Sequence, residues 1–242
     1  MTELLTKSTI TNKKMYVNEI FAKIANKYDL LNNLMTFGLH LKWKTELVKL
    51  AIKENNLACE VLDLCTGTCD IPIIFNNLKP DIKITCIDNC KPMLEAGKKK
   101  IENKGPNNIE IILLDTEALQ YKSHSFDIIT IGFGLRNLID KNKCINSAYE
   151  MLRNNGALAI LDLGYPKNIF WQKLFFFYFF KVVPILGQTF AKNKEAYSYL
   201  PNSLLSWYKQ EELKDLILKT GFKKCYYKNI LGGVVAIHVA VK

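Results

Sequence analysis

The fold is decided by Glu60-Val-Leu-Asp-Leu-Cys-Thr-Gly-Thr-Cys-Asp70 and, further along, by Ile84-Thr-Cys-Ile-Asp88. The first stretch is an apolar run that reaches Asp63 and is followed by a small-residue turn around Gly67. The second is an apolar run that ends in Asp88. This order predicts a strand, a loop, a helix and a second strand, with a carboxylate near each strand tip. In open α/β sheets, ligands bind outside the carboxyl ends of the strands, and a carboxylate there binds ribose hydroxyls. We therefore expect a nucleoside-type cofactor.

The loop after the first strand is poor in glycine. A G-x-G-x-x-G turn brings the backbone close to a pyrophosphate at a helix N-terminus. Here Thr66 and Cys69 stand where further glycines would be, which leaves Gly67 alone, and the chain has no G-x-x-x-x-G-K-[ST] motif. S-Adenosylmethionine carries an adenine, a ribose and a sulfonium but no phosphate, so it fits this loop better than a dinucleotide or a nucleoside triphosphate. The alternative is a strand and turn that bind no ligand.

The composition is that of a globular chain with a basic surface. At 242 residues, of which 49% are apolar, the chain can form one large domain, or one domain with an insertion. A formal net charge of +10 favours anionic partners, either nucleic acid or a membrane surface, and does not choose between them. Seven cysteines, an odd number, in a chain whose N-terminal residues are polar indicate a reducing compartment.

Four of the cysteines raise the question of a metal site. Cys65, Cys69, Cys86 and Cys90 fall near the tips of two strands that we expect to be neighbours. Their C-x3-C spacing differs from the C-x2-C spacing of structural zinc sites, and we expect Cys86 to point away from the loop. We predict no metal and treat the four side chains as small apolar fillers.

Strands alternate with helices along most of the chain, which predicts an α/β fold. We expect a mostly parallel seven-stranded sheet with helices on both faces, and a terminal hairpin that adds one antiparallel strand. Residues 1–15 are polar and are expected to be flexible, and residues 16–242 are expected to form a single domain. Two N-terminal helices, at 17–26 and 39–52, belong to an expected lid of residues 16–56. The expected core strands lie at 60–64, 82–88, 109–114, 126–132 and 157–162, the last of them after an Asn154-Asn-Gly156 turn. Further helices are expected at 92–103, 141–152 and 210–220, and the hairpin strands at 223–229 and 234–240.

Residues 165–208 interrupt this alternation. In Phe170-Trp-Gln-Lys-Leu-Phe-Phe-Phe-Tyr-Phe-Phe180, Phe and Tyr occupy every face of two helical turns, more than one core-facing stripe requires. Lys173 and Lys181 bound seven consecutive apolar residues, far fewer than the ~20 that span a membrane, so we do not expect a crossing. Two interpretations stay open and can coexist. The segment is a buried helix on the sheet, or it forms an interfacial helix or a groove for a long apolar ligand.

Five stretches carry a family resemblance. They are Val17-Asn-Glu-Ile-Phe-Ala-Lys-Ile-Ala-Asn-Lys-Tyr-Asp-Leu-Leu-Asn-Asn33, Ile131-Gly-Phe-Gly-Leu-Arg-Asn137, Pro184-Ile-Leu-Gly187, Tyr197-Ser-Tyr-Leu200 and Gly232-Gly-Val-Val-Ala-Ile-His238. Together they resemble the ubiquinone/menaquinone biosynthesis C-methyltransferases, a class I S-adenosylmethionine-dependent family, from about residue 17 to residue 242. The resemblance implies a Rossmann-like methyltransferase with a helical lid and an aromatic-rich helical insertion after the fifth strand. It also implies C-methylation of a polyprenylated hydroquinone ring, demethylmenaquinol or a methoxy-polyprenyl-benzoquinol, in quinone biosynthesis.

The chain departs from the family pattern in two places. The family's loop usually reads Gly-Gly-Thr-Gly or Cys-Gly-Thr-Gly, whereas this chain has Thr66-Gly-Thr-Cys69. Cys69 therefore places a side chain where the backbone passes the cofactor, and we expect reduced cofactor affinity at worst. Leu161-Asp-Leu-Gly-Tyr-Pro166 replaces the commoner Leu-Glu-Phe-Ser-Lys-Pro, so the carboxylate of Asp162 is one carbon shorter and the lysine before Pro166 is lost.

The resemblance implies a set of cofactor-binding residues at the strand tips and in the loops that follow. Asp63 and Gly67 would approach the methionine moiety of the cofactor, and Asp88 would bind the ribose. Met93 would pack on the adenine, which Asp115 would also contact. The full expected set is Asp63, Gly67, Thr68, Asp88, Asn89, Met93, Asp115 and Thr116.

The expected catalytic residues follow from the chemistry of a phenol. Its ring carbon becomes a good nucleophile when the hydroxyl loses its proton, which needs a base or a cation nearby. Arg136, with Asn137 beside it, is expected to stabilise the phenolate or to orient a water that carries the proton; the alternative is a surface Arg that caps a helix. Tyr28 belongs to the lid. His238 lies in an apolar strand and is either a core residue or, by resemblance, a substrate-side residue.

The sequence leaves three alternative functions open. An RNA methyltransferase would suit the basic charge, but the chain lacks an Asn/Asp-Pro-Pro-Tyr/Phe motif and a Pro-Cys pair. A binding module that has lost activity, or a methyltransferase for another small molecule or lipid, are the remaining alternatives. We expect a polyprenylated quinol and an anionic membrane surface as partners, no nucleic acid, and a cytoplasmic protein held peripherally at the inner membrane face through residues 171–185. A homodimer and the identity of the ring are left open.

Overall fold

The computed structural model describes residues 2–103, 106–119, 122–191 and 194–242, with side chains described outside 2–11 and 190–198. Its centre is one seven-stranded sheet. The strands are β1 (Glu60–Leu64), β2 (Lys83–Asp88), β3 (Ile109–Leu113), β4 (Phe126–Gly132), β5 (Leu152–Leu163), β6 (Lys224–Ile230) and β7 (Val235–Val241).

The sheet order is β3-β2-β1-β4-β5-β7-β6, and β7 runs antiparallel between β5 and β6. The strand order reverses between β1 and β4, which pair in parallel with Asp63 opposite Thr130. Parallel α/β sheets bind ligands at such a switch point, outside the carboxyl ends of the strands. The mostly parallel seven-stranded sheet with a terminal antiparallel hairpin is confirmed.

Helices cover both faces of the sheet because alternate strand residues point to opposite sides. Leu62 and Leu64 belong to one buried apolar cluster, whereas Val61 and Ile84 belong to the other. The helices are α1 (Thr2–Ile24), α2 (Tyr28–Thr36), α3 (Leu39–Glu54), α4 (Asp70–Leu78), α5 (Lys91–Glu102), α6 (Lys141–Met151), α7 (Ile169–Phe177), α8 (Val183–Ala191), α9 (Lys194–Leu205) and α10 (Gln210–Lys219).

Residues 2–15 belong to α1, and their flexibility stays a prediction. One local expectation differs from the structure. β5 begins at Leu152 rather than after the Asn-Asn-Gly turn, and Asn155 takes a positive φ of 61° inside it. The pairing of β4 with β5 shifts register between Phe126 and Ile128, so the turn residues form an irregularity within the strand.

The insertion after β5 consists of α7, α8 and α9, with a π-helical turn at Tyr178–Val182 that joins α7 to α8. Within the described residues, the stretch Ile169–Thr189 is long and apolar enough to cross a membrane by length and composition, with a mean hydropathy of 1.5. One side of it packs on the protein core through Phe175, Phe179 and Val183. This helical stretch of 21 residues is therefore longer than the seven-residue apolar run between Lys173 and Lys181, from which we expected no crossing.

Candidate functional site

Two neighbouring cavities open at the carboxyl edge of the sheet. The larger has a volume of about 450 Å³, and the smaller about 80 Å³. Phe21 of α1, Tyr28 of α2 and Phe133, which follows β4, line both cavities. A ligand in one cavity would therefore lie against side chains that also contact a ligand in the other.

The smaller cavity is built around Gly67 and Asp88. Gly67 has a φ of 58°, and its backbone N–H donates to Asp88 Oδ2 over 2.9 Å, while Cys90 N–H donates to Oδ1 over 2.8 Å. A carboxylate oxygen can accept two hydrogen bonds, so each oxygen of Asp88 retains a lone pair for a ligand. Burial raises the pKa of Asp88, although these backbone N–H groups oppose the rise. Asn89 and Met93, two of the expected cofactor-binding residues, line the same cavity.

Three of the expected cofactor residues lie behind the cavity wall. Asp63 is fully buried and accepts hydrogen bonds of 2.6 Å from the hydroxyls of Thr66 and Thr130. Burial raises the pKa of Asp63 to about 7. Thr68 donates to Asp29 over 2.7 Å, and Thr116 lies beside the Cys65 thiol. None of the three expected side chains, Asp63, Thr68 and Thr116, lines either cavity. They shape the loops that form the wall of the smaller cavity.

Lys14 is a feature of the smaller cavity that the sequence reading missed. Its ammonium pairs with Asp115, the expected adenine-side carboxylate, and lies 3.2 Å from Glu117. Lys14 and Glu117 both line the cavity, whereas Asp115 does not. Asn18, one turn further along α1, donates to the carbonyl of Asn89 over 2.9 Å. Helix α1 thus closes over this cavity through polar contacts to two loops.

Arg136 lies inside the protein, at the wall of the larger cavity, with 8% of its surface exposed. Its Nη1 lies 2.5 Å from Asp162 Oδ1 and 2.9 Å from the Phe133 carbonyl, and its Nε donates to Ser203 Oγ over 3.2 Å. These contacts use three of the five guanidinium N–H groups. The two N–H groups of Nη2 have no hydrogen-bond partner among the described contacts. The alternative of a helix-capping surface Arg is therefore wrong.

The stretch from Phe133 to Asn137 separates the two cavities. Phe133 takes a positive φ of 58°, a strained conformation for an aromatic residue that is typical of functional sites. Its carbonyl accepts from Arg136 and, over 3.2 Å, from Asn137 Nδ2. Asn137 lines the smaller cavity and accepts from the Tyr199 hydroxyl over 3.2 Å. Two consecutive side chains thus serve different cavities.

His238 lies away from both cavities. It is buried in β7, where its Nε2 is 2.8 Å from the Gln210 carbonyl and its ring packs 5.3 Å from that of Tyr227. Burial lowers its pKa to about 4. This setting suits the core-residue interpretation rather than the substrate-side role.

A charged cluster holds the lid helix α2 against the core. No local sequence pattern predicts this cluster, because its members are far apart in the chain. Lys100 of α5 lies 2.7 Å from Asp29 of α2 and 2.6 Å from Asp70 of α4. Lys44 of α3 completes the cluster 2.7 Å from Asp70. These lysines lower the pKa of Asp70 to about 2 in spite of its burial. Among the described residues, no three His, Cys, Asp or Glu side chains form a group that could hold a metal ion.

The residues of the smaller cavity fit S-adenosylmethionine. They offer a carboxylate for the ribose at Asp88, a thioether and aromatic rings for the adenine, and a loop whose glycine, Gly67, would place a Cβ 3.3 Å from Met93 Cε if it had one. Fold and site together define a class I S-adenosylmethionine-dependent methyltransferase. The model of the ubiE/COQ5 methyltransferase family matches residues 8–242, and the chain belongs to that family.

Similar proteins agree with this assignment. The chain is 37% identical to the ubiquinone/menaquinone biosynthesis C-methyltransferase UbiE of Rickettsia akari, over 96% of this chain and 94% of the relative. It is 36% identical to UbiE of Pseudoalteromonas translucida, over 96% and 92%. Two solved structures share the fold: a SAM-dependent methyltransferase from Thermotoga maritima (TM-score 0.63, 17% identity, 93% and 99% covered) and one from Aquifex aeolicus (TM-score 0.55, 16% identity, 76% and 81% covered).

Proposed function

We propose that this protein methylates a ring carbon of a polyprenylated hydroquinone in respiratory quinone biosynthesis. The observation that carries the proposal is a largely apolar cavity of about 450 Å³ with the buried guanidinium of Arg136 in its wall, sharing Tyr28 and Phe133 with the cofactor cavity. A volume in this range accommodates a ring and part of a tail. The UbiE relatives, whose names specify ubiquinone and menaquinone biosynthesis, support the same substrate class.

Arg136 is the residue that we propose to favour the phenolate form of the ring. Its guanidinium stays charged at any physiological pH. Asp162, Ser203 and the Phe133 carbonyl fix its orientation, which leaves the two Nη2 donors for the ring oxygen. Hydrogen bonds from a fixed cation to a developing oxyanion are strong in a site that excludes water.

The lid residues are proposed to keep water away from the reacting atoms. Phe21 and Tyr28 meet edge to face, with ring centroids 6.2 Å apart, where the two cavities meet. S-Adenosylmethionine, when bound, supplies an electrophilic methyl group. The ring carbon gains that methyl group and loses its own hydrogen as a proton, so the aromatic ring is restored. Holding two reactants in line contributes up to ~7–11 kcal/mol in the best cases.

The test is methyl transfer from radiolabelled S-adenosylmethionine to demethylmenaquinol and to a methoxy-polyprenyl-benzoquinol, each supplied reduced and oxidised, with bulk tRNA as a control. We expect label in the organic phase with a reduced quinone, and the better acceptor identifies the ring. Label on tRNA, or transfer to neither quinol by protein that binds the cofactor, contradicts the proposal. Arg136→Lys, which keeps the charge but loses the planar donor pair, should lower the transfer rate while leaving cofactor binding intact.

We also propose that the protein docks on an anionic membrane surface through the insertion. Helices α7 and α8 expose Phe170, Leu174, Phe177 and Ile185 at near-helical spacing, and Phe177 is 62% exposed. Phe37, which is 83% exposed and lines the larger cavity, extends this apolar surface to the cavity mouth. A helix with one core-facing side and one apolar solvent-facing side, bounded by lysines, is typical of interfacial binding. This placement would let a polyprenyl tail enter from the bilayer.

The docking experiment uses the exposed residues rather than the whole aromatic run. Of the three phenylalanines at 176, 177 and 180, two are partly buried against the core, so substituting them would also disturb packing. A Phe170→Ser, Phe177→Ser, Ile185→Ser variant should bind phosphatidylglycerol liposomes far more weakly in co-sedimentation and retain S-adenosylmethionine affinity. Leu57→Ser is the matched control, because Leu57 is 83% exposed before β1, at the opposite edge of the sheet. Equal liposome binding by both variants would refute docking through the insertion.

A further inference from the structure

His40 carries a hydrogen-bonding arrangement that the reaction described above does not use. It lies at the start of α3, lines the larger cavity and is 3% exposed. Its Nδ1 is 3.1 Å from the hydroxyl oxygen of Thr36, and its backbone N–H donates to the same oxygen over 3.3 Å. Thr36 itself donates to the Asn32 carbonyl over 2.6 Å. Thr36 and Asn32 also line the cavity.

These contacts fix the tautomer of His40. A threonine hydroxyl has one hydrogen to donate and two lone pairs with which to accept. Because the Thr36 hydroxyl donates its hydrogen to the Asn32 carbonyl, its contact with His40 Nδ1 is a hydrogen bond only if Nδ1 carries a proton and donates it. The neutral ring of His40 then has a bare lone pair on Nε2, which can accept but cannot donate.

The lone pair on Nε2 faces the cavity. The described contacts give Nε2 no hydrogen-bond partner, yet no buried polar side-chain atom in the described part of the chain lacks one. Nε2 must therefore keep some accessible surface. Since His40 is almost wholly enclosed by protein, that surface belongs to the cavity that it lines.

The neighbourhood keeps the His40 ring neutral. Burial, and the cation of Lys44 one turn further along α3, lower the pKa of His40 to about 4, against the weaker opposing effect of Asp70 and Asp29. Lys100 of α5, the other charge packed near this group, also lowers it. Near neutral pH the ring therefore presents an acceptor and no second donor.

We propose that His40 is a specificity-determining residue that selects the reduced form of the ring. A hydroquinone hydroxyl can donate a hydrogen bond to Nε2, whereas a quinone carbonyl oxygen can only accept and would meet a second lone pair. A buried acceptor left without a donor costs enough to weaken binding by about tenfold to a hundredfold. Thr36 is a positioning residue, because it acts by fixing the tautomer of His40. This inference rests on the proposed quinol substrate.

The experiment measures binding of one short-tailed demethylmenaquinone in its reduced and oxidised forms. Anaerobic equilibrium dialysis with S-adenosylhomocysteine present prevents turnover, and the ratio of the two dissociation constants is the readout. We expect wild type to prefer the quinol by about tenfold or more, and His40→Phe and Thr36→Val to bring the ratio within about threefold of unity. Thr36→Ser keeps the hydroxyl and should restore the wild-type ratio, which a loss caused by altered packing would not do.

The outcomes separate this inference from the proposed function. Wild-type methyl transfer to the quinol, together with a ratio that Thr36→Val and His40→Phe leave unchanged, overturns the role of His40 and leaves the methyltransferase assignment standing. A wild-type ratio near unity overturns it as well. If wild type binds neither form and methylates neither quinol, the proposed function and the inference both fail.

Discussion

The packing of Cys69 against Gly97 gives a prediction that tests the altered cofactor loop directly. Cys69 is fully buried and takes a φ of 62°. This φ lies in the left-handed region, which is unfavourable for residues that have a Cβ. Gly97 of α5 lies against it. A Cβ at position 97 would lie 2.5 Å from Cys69 Sγ, 3.2 Å from Cys69 Cβ and 3.1 Å from the backbone carbon of Thr68, where ordinary contacts are 3.4–4 Å.

The Gly97→Ala substitution should therefore destabilise the protein by about 1–3 kcal/mol, the usual cost of overpacking a core. Two of the three close contacts involve the Cys69 side chain, so Cys69→Gly should remove most of this cost. We expect a double-mutant cycle with a favourable coupling of roughly 1–2 kcal/mol. The single Cys69→Gly change should have a smaller effect, because relief of backbone strain of about 1 kcal/mol offsets the lost burial of the thiol.

Urea unfolding of wild type, both single variants and the double variant measures the four free energies. The Gly97→Ser variant serves as a second, larger probe of the same contact. Additive effects of Gly97→Ala and Cys69→Gly would refute the reasoning, because they would show that the Cys69 side chain does not occupy the space beside position 97.

Three further outcomes are expected. Asp88→Asn should weaken S-adenosylmethionine binding by about tenfold or more in calorimetry, since a charged acceptor in the cofactor cavity is lost; unchanged affinity would remove Asp88 from the site. Asp162→Asn should lower the free energy of unfolding by about 3 kcal/mol, because it leaves the buried Arg136 charge without its partner; an unaltered urea midpoint would contradict that pairing. His238 binds its proton at a pKa of about 4 in the folded state against 6.5 in the unfolded chain, so it destabilises the fold as pH falls through this window. Between pH 7 and pH 5, the free energy of unfolding of His238→Gln should therefore fall by about 2 kcal/mol less than that of wild type. Parallel pH profiles of the two proteins would refute this.

The sequence predicted the sheet and its strand tips, and two of the expected cofactor-binding residues, Gly67 and Asp88, line the smaller cavity. Gly67 and Asp88 were accessible to this reasoning because a turn glycine and a carboxylate at a strand end are local signals. Asp63 was expected beside the cofactor, but it lies within β1, and its buried carboxylate accepts from Thr66 and Thr130 instead of lining a cavity. Thr130, a polar residue within the apolar β4, was the available sign that Asp63 has a partner there.

Long-range partners could not be predicted in the same way. Lys14 lies 101 residues from Asp115, and Ser203 lies 67 residues from Arg136. Such pairs depend on how the lid and the insertion pack on the sheet. The local sequence around each residue does not predict this packing. His238 shows a limit of family likeness. The resemblance left a substrate-side role open beside a core role, and the burial of His238 beside Gln210 suits the core role.

The two cavities share part of their walls, so a ligand in one cavity affects the surface that a ligand in the other meets. Phe21 of α1 and Tyr28 of α2 line both cavities. If the first ligand orders these two helices, it bears the entropic cost, and the second ligand binds to a surface already arranged for it. Thermodynamic linkage would then require that cofactor and quinol raise each other's affinity by the same factor. We therefore expect positive cooperativity between two chemically different ligands, carried by Phe21 and Tyr28.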